Sequence, residues 1–318
     1  MIEDTYAEAF DGMFTRFVVT GYKVFLEEAV RDLTAMPMSV VGRVEAGIER
    51  WISSNKTPDG EKGAIVQVWG ANTSIELFEK ELSYRIRQAV LVQPSTKVFN
   101  CLEDGDGSID MNYYVGMCGG GYEYEEHVYG REMIVVPTMV PDFYIEKNLL
   151  FRGKHRRVKK NVKIVREEEV EGRSGVMGGN LWFFVREMEK YEMYDTLIEI
   201  KERVNEAIDA VDGAVALFRG LCSAGSKVEE KKEYSHIGPT TNHLFCPSLK
   251  NKIKESKVPQ HIGAIPETVI NGINIESVKN AMREVLNAVK DVDAIERISA
   301  GNYGGKLGRY KIMLRTLI

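Results

Sequence analysis

The sequence predicts an α+β protein of two tandem lobes, each an antiparallel sheet with helices packed on one face. Three observations predict it. Strand-type and helix-type hydrophobic periods alternate along the chain, and the order strand-helix-strand, excursion, strand-helix-strand occurs twice. The 318 residues also suffice for two domains of ordinary size. That order is the split βαβ pattern, whose antiparallel sheet can bury one face against helices and leave the other for solvent or a partner. The lobes are expected over residues 1–148 and 149–318.

In the first lobe, Arg16–Thr20 is rich in β-branched residues and predicts a strand. Tyr22, Phe25, Leu26, Ala29, Val30 and Leu33 fall on one helical stripe. Met38–Val44 predicts a second strand, Asn55–Gly60 a turn through Pro58 and Gly60, and Ala64–Trp69 a third strand. Thr73 and Glu76 have capping-box spacing, and Ile75, Phe78, Leu82, Ile86, Ala89 and Val90 then repeat as a helix. Met111–Val115 and Glu132–Val140 read as extended.

In the second lobe, Asn180–Val185 predicts a strand, and Leu197, Ile200, Val204, Ile208 and Val211 a helix stopped by Asp212-Gly213. Ala214–Phe218 and Pro266–Ile270 predict strands, and Val278, Ala281, Met282, Val285 and Val289 mark the next helix. Ala294–Ser299 and Tyr310–Leu317 read as extended.

Composition excludes several classes. Lys+Arg 42 against Asp+Glu 47 leaves a net charge of −5, too mild for a nucleic-acid binder. Arg152–Lys163 does carry seven basic residues and no acid, but Glu167, Glu168, Glu169 and Glu171 follow. Aromatic residues are not interleaved, so a solvated basic insertion is expected rather than a nucleic-acid arm. Charges interrupt every apolar window before membrane-spanning length, and the acidic opening Met1-Ile2-Glu3-Asp4 is unlike a secretory leader. A cytoplasmic protein with no membrane partner is expected. Cys101, Cys118, Cys222 and Cys246 form no Cys-x-x-Cys pair, and no two of the five histidines are spaced His-x-x-x-His, so no metal is expected.

Two motifs fail on register. If Gly107 held the sixth position of a calcium loop, Leu102 and Tyr113 would fall where the first and twelfth ligands belong. Neither Gly119-Gly120-Gly121 nor Gly304-Gly305-Lys306 has the frame of a phosphate loop.

Three stretches carry the candidate chemistry. Gly238–Pro247 places Thr240, Thr241, Asn242 and His243 between two prolines, either as ligand-holding groups or as a self-bonded turn. Ser299–Gly308 sets four glycines around Asn302 and Lys306, which suggests backbone close to a ligand or an Asn-based hairpin. Glu267 sits among strand-forming apolar residues in Pro266–Gly272. A carboxyl held in such surroundings resists ionisation, because desolvation disfavours the charged form, and can then donate a hydrogen bond near neutrality. A solvent-facing Glu on a strand edge is the alternative.

In order, Ile2-Glu-Asp-Thr-Tyr-Ala-Glu-Ala-Phe10, Glu45-Ala-Gly-Ile48, Thr57-Pro-Asp-Gly60, Gly178-Gly-Asn180, Val269-Ile-Asn-Gly272 and Ile298-Ser-Ala-Gly-Asn-Tyr-Gly-Gly-Lys-Leu-Gly308 resemble segments of the formylmethanofuran:tetrahydromethanopterin formyltransferase family. The resemblance runs over nearly the whole chain, and its last block is the most specific. It implies two ferredoxin-like lobes, a homotetramer built as a dimer of dimers, and no metal or prosthetic group. It also implies one-carbon metabolism, with formyl transfer from formylmethanofuran to N5 of tetrahydromethanopterin or the reverse. Glu267 would be catalytic. Ser226, Lys227, Thr240, Thr241, Asn242, Asn302, Gly304, Gly305 and Lys306 would contact the coenzyme substrates, with Lys306 meeting a carboxylate of the donor's tail.

The chain departs from the family's pattern at three glycine- or proline-bearing sites. Leu33–Ser39 lacks glycine, Gly42-Arg43-Val44 replaces Cys-Pro-Ala, and Phe218-Arg219-Gly220-Leu221 replaces Phe-Pro-Gly-Gly. These departures keep open a paralogue that binds a pterin or a partner complex without turnover. Several relatives are very acidic and need concentrated salt to assemble; at −5 this chain is expected to assemble in ordinary buffer.

Overall fold

The computed structural model describes residues 1–35, 44–71, 74–101, 124–135, 144–146, 173–223 and 241–318. In chain order the elements are β1 (Tyr6–Thr20), α1 (Lys23–Leu33), β2 (Glu45–Ile52), β3 (Gly63–Gly70), α2 (Ile75–Arg85), β4 (Lys97–Asn100), β5 (Tyr124–Val128), β6 (Arg131–Val135) and β7 (Tyr144–Glu146). There follow β8 (Arg173–Arg186), α3 (Lys190–Asp209), β9 (Ala214–Ala216), β10 (Cys222–Ser223), β11 (Ile262–Ala264), β12 (Pro266–Gly272), α4 (Ile275–Val289), β13 (Ile295–Ser299) and β14 (Tyr310–Met313). The chain groups into two compact units, Gly12–Ser174, and Met1–Asp11 with Gly175–Ile318. The expected boundary near 148 and the basic segment 152–163 lie outside the described residues. Among the described residues no helix is long and apolar enough to cross a membrane.

In the unit Gly12–Ser174 the antiparallel strand order is β4-β1-β3-β2. Phe17 and Val19 of β1, with Val66 and Val68 of β3, face Leu26, Ala29, Val30 and Leu33 of α1 and Phe78 and Leu82 of α2. Each of these side chains other than Ala29 contributes about 1.5–3 kcal/mol on burial. The same sheet holds a buried charge. The Glu49 carboxylate accepts from Arg16 Nε and Nη2 at 2.7 and 2.6 Å and from Gln67 Nε2 at 2.7 Å. The two-pronged guanidinium contact is what makes so deep a carboxylate tolerable.

In the other unit the antiparallel order is β13-β8-β12-β9, the same arrangement of first, second, third and fourth strands. Leu181, Phe183 and Val185 of β8 face a core with Ile200, Val204 and Ile208 of α3 and Val278, Met282 and Val285 of α4. Trp182 and Phe184 point the opposite way, onto Val258, Ile262, Ile265 and Phe245. Both faces of β8 are therefore covered, which is why Leu181–Val185 reads as an unbroken apolar run. β14 pairs with Tyr6–Ala9 of β1, so the two ends of the chain meet in this unit.

Several elements differ from the sequence expectation. β1 begins ten residues before Arg16 and β8 seven before Asn180. Their polar and glycine positions look like breakers, yet each is held: a Cβ on Gly179 would stand 2.5 Å from Val278 Cγ1. The second strand is Glu45–Ile52; residues 38–43 of the expected Met38–Val44 strand lie outside the described residues, and Val44 is not in a strand. The α2 cap is Ser74, accepting from Leu77 N at 3.2 Å, rather than Thr73, which is not described. The strand expected to reach Phe218 stops at Ala216, because Phe218 and Arg219 turn to φ 54° and 57°. The run expected extended to Leu317 ends at Met313 and closes in a short 3-10 turn. Met111–Val115 and 136–140 are outside the described residues.

Candidate active site

Glu267 stands on β12 with Trp182 of β8 opposite it on one side and Cys222 of β10 on the other. Strand alternation sends Thr268 and Ile270 to the helix-covered face, so Glu267 shares the other face with Trp182. The apolar residues beside Glu267 in sequence divide between the two faces: Ile270 joins the helix-covered core and Ile265 packs in the cluster of Trp182. The partly buried Glu267 carboxyl accepts two hydrogen bonds on one oxygen. Asn180 Nδ2 donates to Oε1 at 2.8 Å and Trp182 Nε1 donates to Oε1 at 3.0 Å. Among the described residues Oε2 takes no hydrogen bond. The indole is fixed in turn by Phe245, with ring centroids 5.2 Å apart in an edge-to-face contact.

The segment Ser299–Gly308 is organised by Glu8, a carboxylate only 2% exposed on β1. Tyr303 N–H and Gly305 N–H donate to its Oε1, the former at 2.7 Å, and Leu307 N–H donates to Oε2 at 2.9 Å. Gly304 and Gly305 adopt φ 69° and 79°, the left-handed conformation that lets alternate N–H groups converge on one anion. The chain enters and leaves this loop by close approaches. A Cβ on Gly301 would stand 2.7 Å from Trp182 Cζ2 and 2.8 Å from Asn180 Nδ2. One on Gly308 would collide with the Ala9 carbonyl oxygen. Gly301 thus lets the loop base lie directly on the two donors of Glu267.

The expected site residues divide as follows. Glu267 is at the centre of this cluster. Asn302 donates its amide N–H groups at the start of β1, to Thr5 Oγ1 at 3.2 Å and to the Tyr6 carbonyl at 3.3 Å. The Gly305 N–H is committed to Glu8, while Gly304 and Lys306 are exposed. Thr241 and Asn242 begin a 3-10 turn that ends at Phe245, the ring packed on Trp182. Ser226, Lys227 and Thr240 lie outside the described residues.

Sequence reasoning assigned no role to Asn180, Trp182, Glu8 or Tyr303. Only the strand register brings Asn180 and Trp182 to Glu267, and Glu8 is 295 residues from Tyr303. The signal that existed for Asn180, Glu8 and Tyr303 was their presence in the ordered segments quoted above; Trp182 lies outside them.

The Tyr303 hydroxyl is pushed up to about 12, first by burial and then by the charges of Glu267 and Glu8. A neutral phenol is therefore kept at this site where an exposed one would ionise. Because the folded protein holds that proton more tightly than the unfolded chain, the contribution is fully present below the unfolded value near 10. It is lost as pH rises through about 12. Ultraviolet titration is expected to show a late tyrosinate transition that disappears in Tyr303→Phe; an unchanged profile in that variant would contradict the placement.

The comparisons with known proteins agree along the chain. Residues 1–138 match the family model described as formylmethanofuran-tetrahydromethanopterin formyltransferase, and residues 163–317 match the model of the proximal lobe of the same enzyme. A formyltransferase-like protein of Archaeoglobus fulgidus is 42% identical over 100% of this chain and 96% of its own length. The formyltransferase of Methanosarcina acetivorans is 36% identical over 99% and 97%. Among solved structures, the Methanosarcina barkeri formyltransferase superposes with a TM-score of 0.80 at 34% identity, covering 100% of this chain and 98% of that one. A formyltransferase/hydrolase complex from Methylorubrum extorquens with methylofuran gives 0.76 at 29% identity, covering 99% and 96%.

Proposed function

Because this chain belongs to the formylmethanofuran–tetrahydromethanopterin formyltransferase family, we propose that it moves a formyl group between formylmethanofuran and N5 of tetrahydromethanopterin, with Glu267 at the reacting carbonyl. The observation that carries the assignment of Glu267 is its geometry: Oε1 is pinned by two N–H groups, and Oε2 takes no hydrogen bond among the described residues.

The pterin amine attacks the formyl carbon and a tetrahedral oxyanion forms. The bond from that carbon to the methanofuran nitrogen then breaks, and the proton lost by the attacking amine ends on the departing one. A proton on Glu267 Oε2 would be donated as a hydrogen bond to the oxyanion; a single donor of this kind is worth about 10²–10³ in rate. The remaining need is alignment of two bulky reactants, which suits a site seated on paired strands. Thr241, Asn242 and the Asn302–Lys306 loop are proposed to hold the coenzymes, with Lys306 near a carboxylate of the donor's tail. Ser226, Lys227 and Thr240 are proposed as further contacts. No permanently bound cofactor enters this scheme.

Two ferredoxin-like lobes are proposed on the repeated strand order β4-β1-β3-β2 and β13-β8-β12-β9. A homotetramer is proposed from the family resemblance, and at a net charge of −5 it should form without added salt. Light scattering at low ionic strength is expected to give four subunits; monomers that assemble only in strong salt would contradict it.

The deciding experiment is an absorbance assay with both coenzymes, run beside calorimetric titration of each. Turnover is expected. Binding of either coenzyme without turnover would instead favour a retargeted member, a distinction given point by the relatives at 41% and 42% identity that carry formyltransferase-like names.

A further inference from the structure

We infer that Asn180 and Trp182 are positioning residues that reserve Oε1 of Glu267 and thereby make Oε2 the oxygen through which its proton is exchanged. The inference rests on the assignment of Glu267 above and specifies how that carboxyl is set.

The indole Nε1 can only donate, and it cannot be rotated away. The ring is held edge-to-face by Phe245, and Gly301 leaves room for it only because a Cβ there would collide with Cζ2. Its 3.0 Å bond to Oε1 is therefore imposed by packing. The second bond, from Asn180 Nδ2 at 2.8 Å, falls on the same oxygen. Two N–H donors occupy both lone-pair directions of a carboxyl oxygen, so a proton placed on Oε1 would have to displace one of them. Protonation is thereby directed to Oε2.

The amide of Asn180 supports this reading by what it gives up. Its Oδ1 is buried and has no hydrogen-bond partner among the described residues. Turning the amide over would set Oδ1 against Oε1, two acceptors face to face, unless Oε1 itself carried the proton. The observed orientation keeps a donor on Glu267 and leaves Oδ1 without a partner among the described residues. Buried polar atoms are rarely left so, and those that are tend to mark places where something other than stability is being served.

The test is steady-state kinetics of Trp182→Phe and Asn180→Asp, each alone and combined with Glu267→Gln. Each single variant removes one N–H from Oε1, and kcat is expected to fall about tenfold with KM little changed, because the residue sets the carboxyl and not the substrate. In the Glu267→Gln background there is no proton to direct, so Trp182→Phe should cost less than about twofold. A kcat unchanged in both single variants, or the same loss repeated in full in the Glu267→Gln background, overturns the inference. Wild-type rates in Glu267→Gln would remove the assignment of Glu267 itself, which is a different outcome. Should Asn180→Asp fail to fold, Trp182→Phe gives the same reading, since phenylalanine keeps a ring against Phe245.

Discussion

Glu267→Gln is expected to lower turnover by about 10²–10⁴-fold without changing the fold. Glutamine preserves the shape of the side chain, and its Oε1 can still accept from Asn180 Nδ2 and Trp182 Nε1. What changes is the other terminal atom. Oε2, which takes no hydrogen bond among the described residues, becomes an NH₂ group that can donate but can neither take up nor release a proton. The size of the loss is therefore diagnostic. A fall near the lower figure means that Glu267 acts mainly as a hydrogen-bond donor to the oxyanion, and a fall near the upper one that it transfers the proton. The measurement is kcat by the coenzyme absorbance assay, with circular dichroism to verify the fold. A rate within about threefold of wild type would mean that the carboxyl is not in the reaction.

Glu8→Ala is expected to cost about 3 kcal/mol of stability and to impair catalysis as well. Three backbone N–H groups, of Tyr303, Gly305 and Leu307, converge on this carboxylate. Each buried donor left without a partner costs roughly 1–3 kcal/mol. The loop is partly exposed, so water recovers some of that, and the lower part of the summed range is expected. Gly308 shows how little the loop can shift, since its backbone passes against that of Ala9 with no room for a side chain. With the anchor gone, Gly301 would no longer be pressed onto Trp182 and Asn180, and the donors of Glu267 would loosen. Urea unfolding measures the first effect, and the ratio of kcat between variant and wild type below the unfolding transition measures the second. A loss under about 0.5 kcal/mol would show that the loop does not depend on Glu8.

The elements that could be read from sequence were those with one buried face. α1, α2, α3 and α4 carry regular apolar stripes, and β3 and β12 alternate or run apolar between clear breakers. The long strands were read short, because their outer parts hold Glu8, Asp11, Gly178 and Gly179, residue types that end strands when nothing holds them. In the structure Glu8 is held by three N–H groups and Gly179 makes room for Val278. The site divides in the same way. Glu267 was visible as an acid out of place in a strand pattern. Its partners were not, because register between strands 85 residues apart in sequence has no local signature. Asn302 shows the same limit: nothing local in a glycine-rich loop announces that its amide reaches Thr5 and Tyr6 near the start of the chain.

The most direct measurement is a crystal structure of the chain with formylmethanofuran bound. The account predicts the formyl oxygen within hydrogen-bonding distance, about 3 Å, of Glu267 Oε2, with Asn180 Nδ2 and Trp182 Nε1 still on Oε1. A formyl group seated away from Glu267, or approached by Oε1 after release of the two N–H groups, would contradict it.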